Sequence, residues 1–289
     1  MTERVYAYYP GCTLQSTAKE YDVSARLVCN ELGIELRELE DWTCCGASSA
    51  HSMSQLLGLA LPARELQLAE EMGLPLVAPC AMCYFRLKFA AHDLVDETTL
   101  TTVREVLAKD FRNAAEVVHL LEVVAEDKEI MLSKLKKSLA GMRVACYYGC
   151  LLVRPRDILD FDDEENPQMM DGLMEMLGAE SIDWSFKTEC CGASLPLSRP
   201  DIVLRLSHRI LSQAKQLGAD CIVVACPMCH SNLDSHQNEM KAKYNDGVGL
   251  PVLYFTQLLG LALGFSAKQL LLDKHLTDTR PMLEDKGLA

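Results

Sequence analysis

The sequence is short of basic residues, because 28 lysines and arginines stand against 41 aspartates and glutamates, which gives a formal net charge of -13. A surface that binds nucleic acid needs clustered lysine and arginine to displace phosphate counterions. We therefore expect no nucleic-acid partner. With 49% hydrophobic and only 24% charged residues in 289 positions, the chain has enough apolar material for a substantial core and two domains.

Long hydrophobic runs and targeting segments are also missing. The longest apolar stretch, at residues 258–265, is far shorter than the roughly 20 residues that a membrane-spanning helix needs. The beginning of the sequence has no basic segment followed by an apolar core and a small-residue cleavage site. We expect a cytoplasmic protein without a membrane span.

Motifs that hold nucleotides or catalytic zinc do not occur. There is no G-x-G-x-x-G fingerprint, Walker motif or H-E-x-x-H box, so neither a bound nucleotide nor a zinc protease is indicated. The compact C-x2-C-x2-C run of ferredoxins is absent too, which predicts that electrons arrive from a partner protein.

What the sequence has in abundance is cysteine, with 13 residues. The cytosol keeps ordinary thiols reduced, so metal or redox chemistry explains them better than disulfides do. Ten of them form two sets with the patterns C-x31-CC-x34-CxxC and C-x39-CC-x34-CxxC. The first set is Cys12, Cys44, Cys45, Cys80 and Cys83, and the second is Cys150, Cys190, Cys191, Cys226 and Cys229.

The segments around the cysteines repeat as well, which predicts a duplicated α/β domain, at residues 1–140 and 141–289. In each repeat, short apolar runs end at a cysteine box, and helical patterns that stop at a glycine separate them. Strands that alternate with helices form mostly parallel sheets, and function gathers beyond the carboxyl ends of such strands. We therefore expect two small, mostly parallel sheets flanked by helices, with five thiols converging at the strand ends of each.

The spacing of the cysteines suits an iron-sulfur cluster. A CxxC that enters a helix places two sulfurs one turn apart, beside unpaired backbone amides. Adjacent cysteines diverge, so they reach two irons of a cluster more easily than one small ion. Gly46 and Gly192, which follow the CC pairs, are predicted to allow close backbone approach to the cofactor. Five soft ligands exceed the four that a structural zinc or a cubane cluster uses.

These motifs resemble the B subunit of heterodisulfide reductase, whose duplicated CCG domain has the same order of single Cys, CC and CxxC. The resemblance runs from about Tyr8 to Leu258. It implies two noncubane 4Fe-4S clusters, each held by the five cysteines of one set, which open and reduce a disulfide bound between them. Partners are implied too: a ferredoxin-like C subunit and a flavin-containing A subunit, the source of flavin-based electron bifurcation in this family.

Several further residues are candidates for lesser roles. The three remaining cysteines lie within apolar patterns and are predicted to be core residues: Cys29, Cys146 and Cys221. The context of Cys146 before two tyrosines aligns it with Ala7. Two histidines next to cysteine boxes are candidate proton donors or else polar loop residues: His51 and His230.

Charged residues near the boxes are predicted to be solvated surface charges, with attraction of an anionic disulfide as the alternative. They are Lys187, Arg86 and Lys88. The acidic run at residues 160–165 is predicted to be an exposed insertion.

Three functions remain open at this point. The first is a disulfide reductase with coenzyme M-coenzyme B heterodisulfide or a related substrate. The second is an electron-transfer subunit without its own disulfide substrate, as CCG domains occur in glycolate, lactate and succinate oxidoreductases. The third is a zinc-binding scaffold. Two complete cysteine sets and the lack of an added ferredoxin module favour the reductase.

Overall fold

A computed structural model describes residues 4–245 and 247–288. Within these ranges the strands form two four-stranded parallel sheets flanked by helices, which confirms the predicted α/β class with two similar units. The strands of the first sheet are β1 (Arg4–Tyr8), β2 (Ile34–Glu38), β3 (Leu76–Ala78) and β4 (Val117–His119). Those of the second are β5 (Arg143–Tyr147), β6 (Glu180–Ser181), β7 (Cys221–Val224) and β8 (Val252–Tyr254).

The helices connect the strands and cover the sheets. In the first half they are α1 (Gly11–Leu14), α2 (Lys19–Glu31), α3 (Ala50–Met53), α4 (Gln55–Met72), α5 (Ala81–Asp93), α6 (Glu97–Leu107), α7 (Leu120–Ala125) and α8 (Lys128–Lys134). In the second they are α9 (Arg156–Leu159), α10 (Met169–Met176), α11 (Pro200–Gln216), α12 (Pro227–Asp234), α13 (Gln237–Tyr244), α14 (Phe255–Ala262) and α15 (Arg280–Asp285). A 3₁₀ turn covers Leu272–Lys274.

Strand order explains why the cysteine boxes meet. The orders are β2-β1-β3-β4 and β6-β5-β7-β8, so the strands that precede the single cysteine and the CxxC box are neighbours at the centre of each sheet. These central strands are short and apolar, and all three residues of β3 are fully buried. In a parallel sheet of this order, the carboxyl ends of the two central strands form the crevice where ligands bind.

The register of the sheets corrects one alignment. Tyr8 pairs with Val77 in the first sheet, and Cys146 pairs with the corresponding Val223 in the second. Cys146 therefore takes the place of Tyr8, and the alignment with Ala7 was wrong by one residue. The error arose from the tandem tyrosines of both repeats, because Tyr147 occupies the place of Tyr9 and not that of Tyr8.

The two halves share one hydrophobic core. Helix α2 of the first half packs against α14 of the second. Between them the rings of Tyr21 and Tyr254 stack with centroids 4.1 Å apart, and the Ser24 and Thr256 hydroxyl oxygens lie 2.7 Å apart. The boundary between residues 140 and 141 therefore remains a prediction, since the core continues across it.

Other expectations about the core and surface are confirmed. Cys29, Cys146 and Cys221 are buried, with at most 1% exposure. The acidic insertion is largely at the surface, although Phe161 within it is buried. None of the helices in the described ranges has the length and apolarity to cross a membrane.

Candidate metal centres at the strand ends

The CC loop of the first repeat follows β2 and turns its two thiols apart. Cys45 is only 2% exposed, whereas Cys44 is exposed. The Cys45 sulfur lies 3.4 Å from the Cys83 sulfur of the CxxC box, and the Gly46 amide donates a hydrogen bond to the Cys44 sulfur at 3.5 Å. Adjacent cysteines thus present sulfur in two directions, as expected.

The second repeat reproduces this arrangement. The Cys191 sulfur is buried and lies 3.6 Å from the Cys229 sulfur, while Cys190 is exposed. The Gly192 amide donates to the Cys190 sulfur at 3.3 Å. The two loops are therefore matched in both their sulfur contacts and their amide-sulfur hydrogen bonds.

Gly46 and Gly192 are needed for the shape of these loops. Their φ angles are +73° and +100°, a region that other residues rarely adopt. A Cβ would lie 2.7 Å from the Cβ of Ala50 at Gly46, and 2.8 Å from Cγ2 of Val203 at Gly192. The glycines thus let each loop pack on the following helix, while their direct role towards a cofactor stays a prediction.

The CxxC boxes start the helices that follow the second central strand. Cys80 precedes α5 and Cys226 precedes α12, both with extended backbone, so each later cysteine lies in the first turn. A sulfur of this turn faces the loop with the single cysteine: a Cβ on Gly149 would lie 3.1 Å from the Cys229 sulfur. The same 3.1 Å separates a Cβ on Gly11 from the Cys83 sulfur. Any side chain at these glycines would crowd the cysteine sulfur.

A small cavity brings the whole second set together. All five of its cysteines line this cavity, with Tyr147 and Tyr148 from the end of β5. Ala81 and Met82 of the first CxxC box line it as well. The first repeat thus supplies part of the wall of the second site.

The two sites adjoin each other through their CxxC boxes. The thiols of Cys80 and Cys226 are close enough for each to shift the pKa of the other. The Tyr21 hydroxyl lies 3.0 Å from the Pro79 carbonyl oxygen and 3.4 Å from that of Ala225, the residues before these cysteines. The first cysteines of both CxxC boxes are therefore held side by side.

The thiols determine one another's protonation. The neighbouring Cys150 thiol lowers the pKa of Cys190 to about 6. The Cys190 thiol, together with burial, raises the pKa of Cys150 in turn. The pKa values of the CC and CxxC thiols are shifted mainly by other thiols, by burial and by hydrogen bonds. No lysine or arginine is among the main causes of these shifts.

This donor set fits an iron-sulfur cluster at each site. Closely packed thiolates repel one another unless a cationic centre binds them, and soft sulfur donors select iron-sulfur clusters, zinc or cuprous copper. The amide-sulfur hydrogen bonds at Gly46 and Gly192 are of the kind that tunes such clusters. Gly149 approaches the Cys229 sulfur so closely that its Cα has room for nothing larger than a hydrogen atom on the side that faces this sulfur.

Neither candidate histidine is a loop residue. His51 lies in α3 and is exposed. His230 lies in α12 and is 6% exposed, with Nε2 3.0 Å from the Val252 carbonyl oxygen. Burial lowers the pKa of His230 to about 4.

The prediction of a solvated charge was wrong for Lys187. This residue is 2% exposed, and its Nζ lies 3.0 Å from an oxygen of Asp171. Burial of a lysine requires such a partner, which cannot be recognised from local sequence. Arg86 and Lys88 are partly buried: Arg86 donates to the Gly58 carbonyl, and the Lys88 ammonium lies 5.7 Å from the Tyr84 ring centroid.

Sequence reasoning missed Asn232, a fully buried residue of α12. Its Nδ2 lies 3.5 Å from the Cys191 sulfur and also donates to the Cys191 and Ala193 carbonyls, at 3.3 and 2.9 Å. Its position three residues after Cys229 was the available signal, because the first helical turns after a CxxC box face the site. Asn232 fixes the second CC loop and donates to the sulfur of a cysteine in the second set.

Comparison with known families agrees with this geometry. The CCG family, described as a cysteine-rich domain, matches residues 6–88 and 144–234. The chain belongs to the CCG family. Each matched segment contains one complete cysteine set, so the five-cysteine sites lie within the two CCG domains.

Relatives extend over nearly the whole chain. The 8-methylmenaquinol:fumarate reductase membrane anchor subunit of Wolinella succinogenes is 35% identical, covering 96% of this chain and 98% of its own. The B subunit of the ferredoxin:CoB-CoM heterodisulfide reductase of Methanosarcina mazei is 32% identical, covering 92% and 91%. A protein of Archaeoglobus profundus named as similar to the heterodisulfide reductase B subunit is 30% identical, covering 91% and 92%. The family is thus one of oxidoreductase subunits.

A solved structure shares the fold. A hypothetical protein from Helicobacter pylori superposes with a TM-score of 0.78 at 18% identity, covering 96% of this chain and 53% of its own. At this identity the likeness concerns the arrangement of the chain and not its activity.

Proposed function

We propose that this chain is the catalytic subunit of an oxidoreductase that reduces a small-molecule disulfide to two thiols. The reaction consumes two electrons and two protons and breaks one S–S bond. The observation that supports this proposal is the position of the Tyr21 hydroxyl, which lies 3.0 Å from the Pro79 carbonyl oxygen and 3.4 Å from that of Ala225. The two CxxC boxes, and with them two complete five-cysteine sites, therefore lie next to each other. A substrate with two sulfurs matches two adjacent sites.

The ten cysteines are the proposed ligands of two 4Fe-4S clusters of the noncubane type. When bound, such clusters would store single electrons beside the substrate. Residues of the chain hold the cysteine sulfurs in position, because the Gly46 and Gly192 amides and the Asn232 side chain donate hydrogen bonds to them. These donors are preorganised, because two belong to tight loops and the third is buried in a helix.

Each site has a side that is buried in the protein and a side that is open to solvent. Cys45 and Cys191 are buried, whereas Cys12, Cys44 and Cys190 are exposed. Met82 projects from the first CxxC box into the wall of the second site. We propose that the substrate enters at the exposed cysteines and that the methionine side excludes water, since a dry site strengthens each hydrogen bond to sulfur.

The chain is proposed to work within a complex in the cytoplasm. Its relatives include subunits named for heterodisulfide reductases. By analogy, electrons would come from a ferredoxin-like C subunit, which a flavin-containing A subunit would supply in turn.

A second candidate is electron transfer without a disulfide substrate. It is favoured by the similarity to a relative named for methylmenaquinol-dependent fumarate reduction. In that case the adjacent sites would form a conduit between a quinol and a partner reductase, and a disulfide would be neither bound nor cleaved.

One set of measurements separates these functions. We expect about eight irons and a similar amount of sulfide per chain after anaerobic purification. Added thiols should change the EPR spectrum of the oxidised protein, and a reduced one-electron dye should support disulfide reduction. Full cluster content without a thiol effect or disulfide turnover would favour the electron conduit. Stoichiometric zinc at sulfur ligands with little iron would contradict both functions.

A further inference from the structure

A second group of metal-ligating side chains lies outside the cysteine sites. Helix α12 carries His230 and Asp234, four residues apart and so on one helical face, and His275 follows the 3₁₀ turn near the C-terminus. All three are buried, at 6%, 4% and 8% exposure. Their potential ligand atoms all lie within 4.8 Å of one another.

The hydrogen bonds of Gln257 orient His275 for metal binding. The amide nitrogen of Gln257 donates to the Leu270 carbonyl, and its Oε1 accepts from the Tyr254 amide, so Oε1 is an acceptor. The Nε2 of His275 lies 3.0 Å from this oxygen and must carry the proton. The lone pair of Nδ1 consequently points towards His230 Nε2, 2.7 Å away. A metal-binding histidine commonly donates its other N–H in this way.

The remaining groups provide an anionic oxygen with a displaceable proton nearby. The two oxygens of Asp234 accept from the Leu276 and Thr277 amides at 2.7 and 3.0 Å, which fixes the carboxylate. Each oxygen keeps another lone pair. The Nε2 proton of His230 is shared between His275 and the Val252 carbonyl oxygen, and a cation would displace it.

The charge around the group favours a cation. Burial and the neighbouring Asp234 raise the pKa of the Glu20 carboxyl, and the nearby Lys274 only partly offsets this effect. Two buried carboxyl groups, Glu20 and Asp234, are thus close enough for their charges to interact, and a cation bound at Asp234 would relieve this repulsion.

We propose that His230, Asp234 and His275 bind a divalent transition-metal ion of the zinc class. Two imidazole nitrogens and one carboxylate form a common three-ligand zinc set, which leaves one position for water or another oxygen. His275 also lines an open cleft of about 630 Å³ with Asp273 and Leu276, which provides an entry path. The ion would join the second CxxC helix to the C-terminal segment.

Binding requires only a small movement of the imidazoles. Tetrahedral ligands about 2.0–2.1 Å from zinc lie roughly 3.3 Å apart. The two facing nitrogens, now 2.7 Å apart, would separate by about half an ångström. Such a shift replaces their hydrogen bond by two bonds to the ion.

The test is zinc analysis of anaerobically purified protein with its full iron content. Zinc X-ray absorption distinguishes this site from the cysteines, because nitrogen and oxygen ligands lie about 2.0–2.1 Å from zinc and sulfur about 2.3 Å. We expect one zinc per chain with nitrogen and oxygen ligands alone. No bound zinc, after dialysis against zinc chloride, or zinc with sulfur ligands only, would overturn the proposal.

Variants locate the ion. His275→Gln and Asp234→Asn should each weaken zinc binding roughly 100-fold or more, beyond the 10–100-fold typical of supporting residues. The matched control His92→Gln, at an exposed histidine of the first repeat, should keep it. Iron content reports whether the variants fold. Unchanged zinc binding in folded His275→Gln protein would contradict the assignment, and the wild-type absorption measurement decides the question if the variants fail to fold.

Discussion

The two repeats hold the same cysteine frame in different surroundings. Four residues after the first CxxC cysteine, the first repeat has Tyr84 and the second has His230, whereas the last strands end in His119 and Tyr254. Both repeats thus have one tyrosine and one histidine at these two positions, but the two residue types have changed places. Its rings meet edge to face at 5.6 Å in the first repeat and stack at 4.5 Å in the second. Divergence has therefore altered the polar groups near the sites while the positions of the cysteines stayed constant.

The exchange extends to residues that contact the loops. Asn232 donates to the Cys191 sulfur in the second repeat, whereas Arg86, at the matching position, donates to the Gly58 carbonyl. The caps of the helices after the last strands differ as well, with Glu122 in the first repeat and Gln257 in the second. Two sites with the same set of cysteines should consequently differ in electron affinity and pH response.

The largest expected effect tests whether both repeats are needed for chemistry. Cys83→Ala and Cys229→Ala each remove a ligand from one set, so disulfide reduction with an artificial one-electron donor should fall to background in both. The loss should exceed the roughly 10–100-fold cost of removing a supporting residue. Retention of the other cluster must first be verified by iron analysis. Substantial turnover in either variant would mean that chemistry occurs at a single site.

Cluster content tests the independence of the repeats. Cys45→Ala and Cys191→Ala should each lose about four of about eight irons, because the two sets are attached to separate sheets. Cys29→Ala is the matched control, since this buried cysteine lies outside both sets and its removal should leave iron unchanged. Complete iron loss from Cys45→Ala or from Cys191→Ala would instead indicate one shared site.

A smaller effect concerns the electron affinity of the second site. Asn232→Leu removes an N–H donor to the Cys191 sulfur while nearly preserving side-chain volume. A donor stabilises the more negative, reduced form, so its loss should lower the potential by roughly 40 mV, the equivalent of one hydrogen bond of about 1 kcal/mol.

Potentiometric titration followed by EPR measures this shift. Arg86→Leu is the counterpart in the first repeat and should have less effect, because the contact made by Arg86 is to the Gly58 carbonyl. Equal shifts in both variants would show that the asymmetry of the two positions has no bearing on electron affinity.

The smallest effect is a pH dependence of stability. Burial raises the pKa of Glu122 to about 7 from its ordinary 4.5. A raised carboxyl pKa stabilises the fold fully below the ordinary value, and this stability is lost as pH rises through the folded value. Glu122→Gln places the residue of the second repeat at this position and removes the titrating carboxyl. Between pH 5 and 8 the free energy of unfolding of this variant should therefore fall by about 1–2 kcal/mol less than that of the wild type.

Anaerobic thermal unfolding at several pH values measures this difference. Because His119 is present in both proteins, its titration cancels in the comparison. If the stability of Glu122→Gln changes with pH in the same way as that of the wild type, burial does not raise the pKa of the Glu122 carboxyl.

Much of the local structure was predictable because it follows from short patterns. Apolar runs such as Leu76–Ala78 form buried strands, and the helix before Gly73 ends at that residue with φ +66°. The sequence register before Cys150 was misread, since two tyrosines admit two alignments and only the pairing of Cys146 with Val223 distinguishes them. Lys187 was misread for a similar reason, because its partner Asp171 lies in a different element.

The sequence by itself determined the duplicated cysteine frame, the α/β class and the position of each box at a strand end, because all three depend on residues that are close in the chain. Only the tertiary structure decided that the two CxxC boxes lie side by side at Tyr21, that Asn232 reaches the Cys191 sulfur, and that His275 approaches His230. Packing of the two halves around Tyr21 and Tyr254 creates the first of these contacts. Such contacts join residues far apart in sequence, and no local pattern encodes them.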